Sequence, residues 1–412
     1  MAAAKRRKKP PPIEHGILLT ATLCLLAGGA VMVYSASSAR DLLAGGGDGT
    51  SYLVRYAIYG GLGLLAMRFL SRHGLEAVRQ ATPVILLVAF AGLFAVMLPG
   101  IGVEVNGARR WMGVGALQFQ PSELMKLALV LYAVQLLAAQ PRRVRTLKGL
   151  LNPLLLIVGA ACALVAVQPD LGTALVIAFT TGALLVAAGV PLRHLALIAG
   201  VATFVVVIFA IMEPYRRARL TAFLNPWADA SGSGFQSVQG QIALGSGGLL
   251  GQGLGQSVQK VFYLPEAHTD FVLAVIGEEL GVAGICGLLF LYGMIGYAGF
   301  RVARAARSAY EQLLAAGITS LILAQATLNT FTVLGLAPLT GVPLPFISYG
   351  SSNLLVLLAG MGLLLNVAAG GQAKLRAVPT RSSSNADSSR DRRRRDSRTR
   401  RARAGGRRRA TG

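Results

Sequence analysis

The stretch Y-L-P-E-A-H-T-D-F, Tyr263 to Phe271, places a Glu, a His and an Asp within five residues at the mouth of an apolar segment that runs from 271 to 299. A helix needs about twenty apolar residues to cross the hydrocarbon core of a bilayer, so this segment reads as a membrane span with ionisable groups gathered at its entrance. Nine further segments read the same way, at about 16–36, 52–70, 82–99, 121–139, 150–167, 172–190, 193–212, 312–334 and 350–369. None shows the alternation of a barrel strand, and only helices and closed barrels satisfy their backbone in lipid. The expectation is an all-α polytopic membrane protein with ten transmembrane helices and a large extracytoplasmic loop between helices 7 and 8.

Composition agrees. The 412 residues are 54% hydrophobic and 14% charged, with a mean hydropathy of +0.58, far from a soluble domain. The formal charge of +23 suggests a nucleic-acid partner until it is located: residues 371–412 hold fifteen Lys and Arg against three Asp. That tail alone contributes +12 of the charge, so a basic tail and not a basic fold sets the pI, and no nucleic-acid partner is expected. The chain divides into a basic N-terminal tail (1–15), a membrane domain (16–369) and an Arg/Ser-rich tail (370–412) expected to be disordered. That tail suits either contact with anionic membrane lipids or simple solvated disorder. Cys24, Cys162 and Cys286 lie apart in apolar runs without metal-ligand spacing and read as unpaired thiols. The apolar run from Gly16 to Tyr34 is too long for a signal-peptide core and reads as a retained first helix.

The positive-inside rule orients the bundle. With the N-terminus in the cytoplasm, Lys5 to Lys9, Arg72, Arg79, the run Arg142, Arg143, Arg145 and Lys148, Arg193, Arg301, Arg304, Arg307 and the tail all fall inside, as do both termini. Arg109 and Arg110, and Arg216, Arg217 and Arg219, then lie outside.

Each motif has a plain structural reading beside a functional one. Asp270 and Glu266 could cap the following helix, or serve as a general base or metal-binding carboxylate beside His268. Glu123 and Lys126 in Q-P-S-E-L-M-K share a helical face as a structural ion pair or as cavity lining. Arg109, Arg110 and Trp111 in N-G-A-R-R-W-M fit interfacial snorkelling or an anionic ligand, because guanidinium matches phosphate oxygens. Asp170 in Q-P-D-L-G-T suits a turn or a site. Glu278 and Glu279 lie two turns inside helix 8, where structural pairing is the favoured reading over a cavity role. The glycines of G-S-G-G-L-L-G-Q-G-L-G-Q (Gly245 to Gln256) match no nucleotide-binding spacing and read as a flexible re-entrant or surface loop. P-F-I-S-Y-G-S-S, with Ser348, departs from helix as expected around a cavity.

Taken together, Y-R-R-A-R-L-T-A-F-L-N-P-W-A-D, G-S-G-F-Q-S-V-Q-G-Q-I-A-L-G-S-G-G and V-Q-K-V-F-Y-L-P-E-A-H-T-D-F-V-L-A-V-I-G-E-E-L-G resemble the SEDS family of membrane glycosyltransferases, over about residues 16–369. The spellings L-P-E-A-H-T-D-F and I-G-E-E-L-G are nearer its division-type, FtsW-like branch than the rod-elongation, RodA-like one. One departure is Ser351, where the family more often has glycine in I-S-Y-G-G-S-S.

The resemblance implies a ten-helix enzyme that polymerises lipid II on the outer face of the cytoplasmic membrane, at the division septum. Asp270 matches the family's essential acid. Glu266, Glu123, Lys126 and Asp170 match positions lining the substrate cavity, with Arg109, Arg110, Trp111, His268 and Ser348 as further substrate-binding candidates. It also implies a class B penicillin-binding protein and other division proteins as partners, and leaves room for Mg2+ or Mn2+ at the pyrophosphate. Competing readings are a lipid II flippase or transporter, a noncatalytic scaffold for division proteins, and a RodA-like elongation polymerase.

Overall fold

The computed structural model describes residues 12–43, 49–105, 108–114, 117–141, 146–212, 217, 221–261, 263–264 and 266–370. The Lys5 to Lys9 cluster, Asn106, Arg142, Arg143, Arg145, Arg216, Arg219 and the tail from 371 onward lie outside the described residues.

Every predicted apolar segment is helical. The helices are α1 (Ile13–Leu43), α2 (Ser51–His73), α3 (Leu75–Met97), α4 (Pro121–Ala139), α5 (Leu147–Val167), α6 (Leu171–Ala187), α7 (Leu192–Met212), α9 (Val272–Ala305), α10 (Ala309–Val333) and α11 (Ser351–Ala368). A short helix, α8 (Phe235–Ser246), lies between α7 and α9. Among the described residues, eight helices are long and apolar enough to cross a membrane, and α6 and the apolar part of α7 (Leu192–Ile208) are shorter.

α2 and α3 form one unbroken helical run, Ser51–Met97. Forty residues of straight helix would separate Tyr52 from Gly92 by about 60 Å. Yet the Tyr52 ring lies 5.0 Å from Tyr349, Ser352 accepts a hydrogen bond from Gln120 N, and Gly92 abuts Pro121. Both ends of the run therefore sit together, so the run folds back on itself between the spans Ser51–His73 and Leu75–Met97.

The centre of the bundle is α10 and α11, whose apolar stretches are 83% and 89% buried against 22% for α2. α11 packs on the α2–α3 hairpin, α10 on α4, α6 and α9, and α1 on α9. Close approach uses small residues, as in other membrane bundles: a Cβ at Gly362 would stand 2.6 Å from Met67 O.

The expectation of a purely α-helical chain needs one correction. Residues 102–119 form a three-stranded antiparallel sheet, β1 (Gly102–Val105), β2 (Ala108–Val114) and β3 (Leu117–Phe119), in the order β1-β2-β3. The register pairs Glu104 with Arg109 and Met112 with Phe119, with an irregularity between Val103 and Glu104. The strands are short and bear interspersed polar residues, so a search for twenty-residue apolar runs passes over them.

The glycine-rich segment is largely exposed, as a surface loop, yet is tied by its backbone to α9. Its residues replace part of the hydrogen-bond ladder of α9, which breaks at Gly281 (φ 66°). Gln252 N and Gly253 N donate to Glu278 O and Glu279 O, while Val282 N and Ala283 N donate to Gly248 O and Leu249 O. The approach excludes side chains: a Cβ at Gly251 would lie 2.2 Å from Glu279 O, and one at Gly281 2.4 Å from Gly251 N. Glycine is required here for contact as much as for backbone freedom.

Candidate functional site

The sheet, the turn between α5 and α6, the segment before α9 and the loop between α10 and α11 meet at one end of the bundle. Arg301 with Glu14, Arg79 over Tyr310, and Asn366 with Leu70 O mark the opposite end.

At the sheet end, Pro121 opens α4 at a position where its missing N–H is harmless. One turn later Lys126 Nζ meets Glu123 Oε2 at 2.8 Å, both side chains almost wholly buried. Lys126 also donates to Gln325 Oε1 at 2.8 Å. Asp170 is the N-cap of α6, its Oδ1 accepting from Thr173 N at 3.1 Å, while Oδ2 accepts from Gln120 Nε2 at 3.2 Å and Ser122 Oγ at 3.5 Å. Asp170 therefore caps α6 and also faces the start of α4. The glycine of Q-P-D-L-G-T admits the α10–α11 loop, since a Cβ at Gly172 would stand 2.3 Å from Thr340 O.

Asp270 is half-buried just before α9. Phe271 is the N-cap of that helix and makes no side-chain capping bond, which sets Asp270 one residue before the cap. Thr269 Oγ1 lies 3.1 Å from Glu266 Oε2 and 3.3 Å from Asp270 Oδ1, which brings two carboxylates to one hydroxyl. Glu266 has a positive φ of 57°, the left-handed conformation that turns the chain back here. Asp270 Oδ2 approaches the position a Cβ would take on Gly341 to 3.9 Å, so the α10–α11 loop borders the acid.

His268 is buried. Its ring lies 4.5 Å from Tyr52 and 5.8 Å from Tyr349, and its carbonyl accepts from Tyr349 N at 2.9 Å. This aromatic cluster joins the segment before α9 to α2 and to the α10–α11 loop. Burial pushes the Tyr349 hydroxyl up, with Arg55 opposing. Ser348 is buried too, and its Oγ accepts from Leu344 N at 2.8 Å, shaping that loop from within.

The two arginines of the sheet diverge. Arg110 donates from Nε to Gln168 O at 2.8 Å and from its terminal nitrogen to Pro169 O, clamping the Q-P-D turn to the sheet. Arg109 is exposed and meets Glu104 at 3.3 Å. Trp111 is half-buried on the same strand, opposite Val103. Glu278 and Glu279 follow the structural reading: Glu278 accepts from Ser257 Oγ at 2.5 Å and Val258 N at 3.0 Å, and Glu279 pairs with Lys260 at 2.7 Å beside Ser35.

Sequence reasoning missed Gln120, Ser122, Tyr52, Tyr349, Gln325 and Asn329. For the last two the signal was present: two amides one turn apart inside an apolar helix act as polar glue between helices.

Among the described residues, no group of three or more His, Cys, Asp and Glu stands ready to hold a metal. Glu266 and Asp270 provide a carboxylate pair at one hydroxyl. That suits a hard cation of the Mg2+ type, which takes one or two carboxylates and completes its shell with water and phosphate oxygens.

Comparison with known proteins places this geometry. The sequence model of the FtsW/RodA/SpoVE family, described as cell cycle proteins, matches residues 16–372. Stage V sporulation protein E of Bacillus subtilis is 39% identical over 320 residues, 78% of this chain and 87% of that protein. The probable peptidoglycan glycosyltransferase FtsW of Coxiella burnetii is 42% identical over 321 residues, 77% of this chain and 86% of that protein. Among solved structures, a chain of a peptidoglycan synthase complex that coordinates polymerization and crosslinking superposes with a TM-score of 0.69 at 31% identity, covering 85% of this chain and 96% of the other. The rod shape determining protein RodA of Thermus thermophilus gives 0.61 at 29% identity, covering 85% and 95%.

Proposed function

The chain belongs to the FtsW/RodA/SpoVE family of cell cycle proteins, and from that premise we infer that it is a peptidoglycan glycosyltransferase which polymerises lipid II at the sheet end of its bundle. The observation that carries the reading is the convergence there of Asp270 and Glu266, the Glu123–Lys126 pair and Asp170, drawn from three separate parts of the chain.

In the reaction, the 4-hydroxyl of the acceptor's GlcNAc attacks the anomeric carbon of the donor's MurNAc. The bond from that carbon to the pyrophosphate oxygen breaks with inversion, undecaprenyl pyrophosphate leaves, and Asp270 takes the hydroxyl proton. Lys126, already neutralised by Glu123, orients polar groups more than it supplies net charge. Of the two arginines on the sheet, the exposed Arg109 is the better placed to meet pyrophosphate oxygens, because Arg110 holds backbone carbonyls; the Arg216 to Arg219 group is the alternative. Trp111, His268 and Ser348 shape the surrounding walls. A divalent cation held by Glu266 and Asp270 would be an alternative to the base role of Asp270, supplying Lewis-acid chemistry instead, and chelation followed by Mg2+ or Mn2+ readdition separates the two.

The two shorter apolar helices complete ten spans, with both termini cytoplasmic and the sheet end outside. A transporter would distribute polar groups through the membrane midplane; here they gather toward one end, which favours the enzyme. Relatives named FtsW and Stage V sporulation protein E at 39–42% identity favour a division-type, septal role over elongation. A class B penicillin-binding protein is the expected partner, since the superposing complex couples polymerization to crosslinking.

The test is glycan formation from lipid II by the purified protein beside Asp270→Asn. Loss of a general base lowers turnover about a hundredfold to ten-thousandfold. Unchanged polymerisation by the variant would remove Asp270 from the chemistry, and an inactive wild-type protein, with or without its partner, would oppose the enzymatic reading.

A further inference from the structure

Helix α10 carries two buried amides one turn apart, Gln325 and Asn329. Gln325 accepts from Lys126 Nζ and donates from Nε2 to Pro343 O, each at 2.8 Å. Asn329 Nδ2 donates to Asp270 O at 2.7 Å and to Val342 O at 2.8 Å. Both protons of a single amide nitrogen are thus engaged, one on the residue that bears the base and one on the loop that borders it. The opposite amide orientation would set an oxygen against two carbonyl oxygens, so the neighbours dictate this one.

The other side of the same amide is less well served. Asn329 Oδ1 is buried and meets no hydrogen-bond partner among the described residues. A buried orphan acceptor weakens a fold and calls for an explanation. Asn329 tolerates it while holding two donors on target, which points to a role in geometry beyond packing.

We propose that Asn329 is a positioning residue for the glycosyl transfer: it fixes the peptide of Asp270 against the loop at Val342, and through the neighbouring Gln325–Pro343 bond this links the base to the Glu123–Lys126 pair. The base and the buried pair then keep one spacing while the lipid-linked sugars exchange between them. This rests on Asp270 being the base of a lipid II polymerase, and Asn329 itself touches no substrate.

The experiment compares full-length wild type, Asp270→Asn and Asn329→Ala, purified in detergent. It records initial rates of lipid II polymerisation across substrate concentrations together with the melting temperature of each protein. For Asn329→Ala, kcat falls at least tenfold, KM for lipid II changes less than twofold, and the protein remains folded at the assay temperature. Asn329→Ser keeps one donor in place of two and gives an intermediate kcat; it carries the test where the alanine variant does not fold. Wild-type kcat in a folded Asn329 variant, a loss residing in KM, or failure of both variants to fold would each overturn the positioning role. An active Asp270→Asn protein would instead remove the underlying assignment of the base, so the two failures are distinguishable.

Discussion

Lys126 meets Glu123 at 2.8 Å and Lys260 meets Glu279 at 2.7 Å, and all four side chains are nearly excluded from solvent. The chemistry of the two pairs is the same, but their surroundings differ. The first lies within one turn of α4 and reaches outward, through Gln325 to the α10–α11 loop and through its neighbours Gln120 and Ser122 to Asp170. The second fastens the loop after α8 to the broken helix α9, with Ser35 of α1 donating to Glu279 and accepting from Lys260. One pair belongs to a network that ends at Asp270; the other keeps a helix break closed. A buried ion pair is therefore no indicator of a site until its further partners are known.

The largest effect on stability is expected from breaking the second pair. Lys260→Met leaves Glu279 charged and buried, and removing one partner of such a pair costs about 3–5 kcal/mol. Thermal unfolding of the purified variant measures this. Adding Glu279→Leu removes the stranded charge, so the double variant recovers most of the stability and the polymerising activity per folded molecule. The corresponding double change at Lys126 and Glu123 recovers stability but not turnover. Equal recovery of activity at both places would erase the distinction between scaffold and site.

How each pair could be read in the sequence follows from the same contrast. Glu123 and Lys126 are three residues apart on one helix, so helical periodicity alone places them together. Glu279 and Lys260 are joined by a tertiary contact between α9 and the loop before it, and no local period announces it. The spans were legible because burial in lipid demands long apolar runs, which explains why α4 begins and ends where expected. The sheet was not, because short strands at a membrane surface need only a few half-buried residues. Asp270, Glu266 and Asp170 stood out as acids beside apolar segments. Asn329 did not: its spacing to Gln325 marks a buried polar pair, but an uncharged amide does not say which carbonyls it meets.

A smaller effect tests the helix break that the second pair secures. Gly281 has φ 66° and ψ −164°, a region nearly reserved for glycine, and a Cβ there would lie 2.4 Å from Gly251 N. Backbone strain of this kind costs about 1–3 kcal/mol, before the contact with Gly251 is relieved. Gly281→Ala should lower the melting temperature and make the glycine-rich segment more accessible to protease. An unchanged melting temperature would mean that the break relaxes freely and that Lys260 and Glu279 have little to hold.

The smallest effect on stability belongs to an ion pair outside the buried class. Arg109 and Glu104 face each other across β1 and β2 at 3.3 Å, but both side chains are about half exposed. Water screens such a pair and two flexible side chains lose freedom to form it, so Arg109→Gln should change stability by no more than about 1 kcal/mol. Its functional effect is expected to be larger than its structural one. A guanidinium that meets pyrophosphate oxygens contributes roughly 1.5–3 kcal/mol, a charge-assisted contact, so lipid II affinity should fall at least tenfold. Arg110→Gln gives the opposite pattern, because Arg110 donates to Gln168 O and Pro169 O and its loss frees the turn that carries Asp170. Measured side by side, melting temperature should respond more to Arg110 and substrate affinity more to Arg109. If Arg109→Gln leaves affinity unchanged, its charge serves only the strand pair, and the pyrophosphate must be met elsewhere on the sheet end.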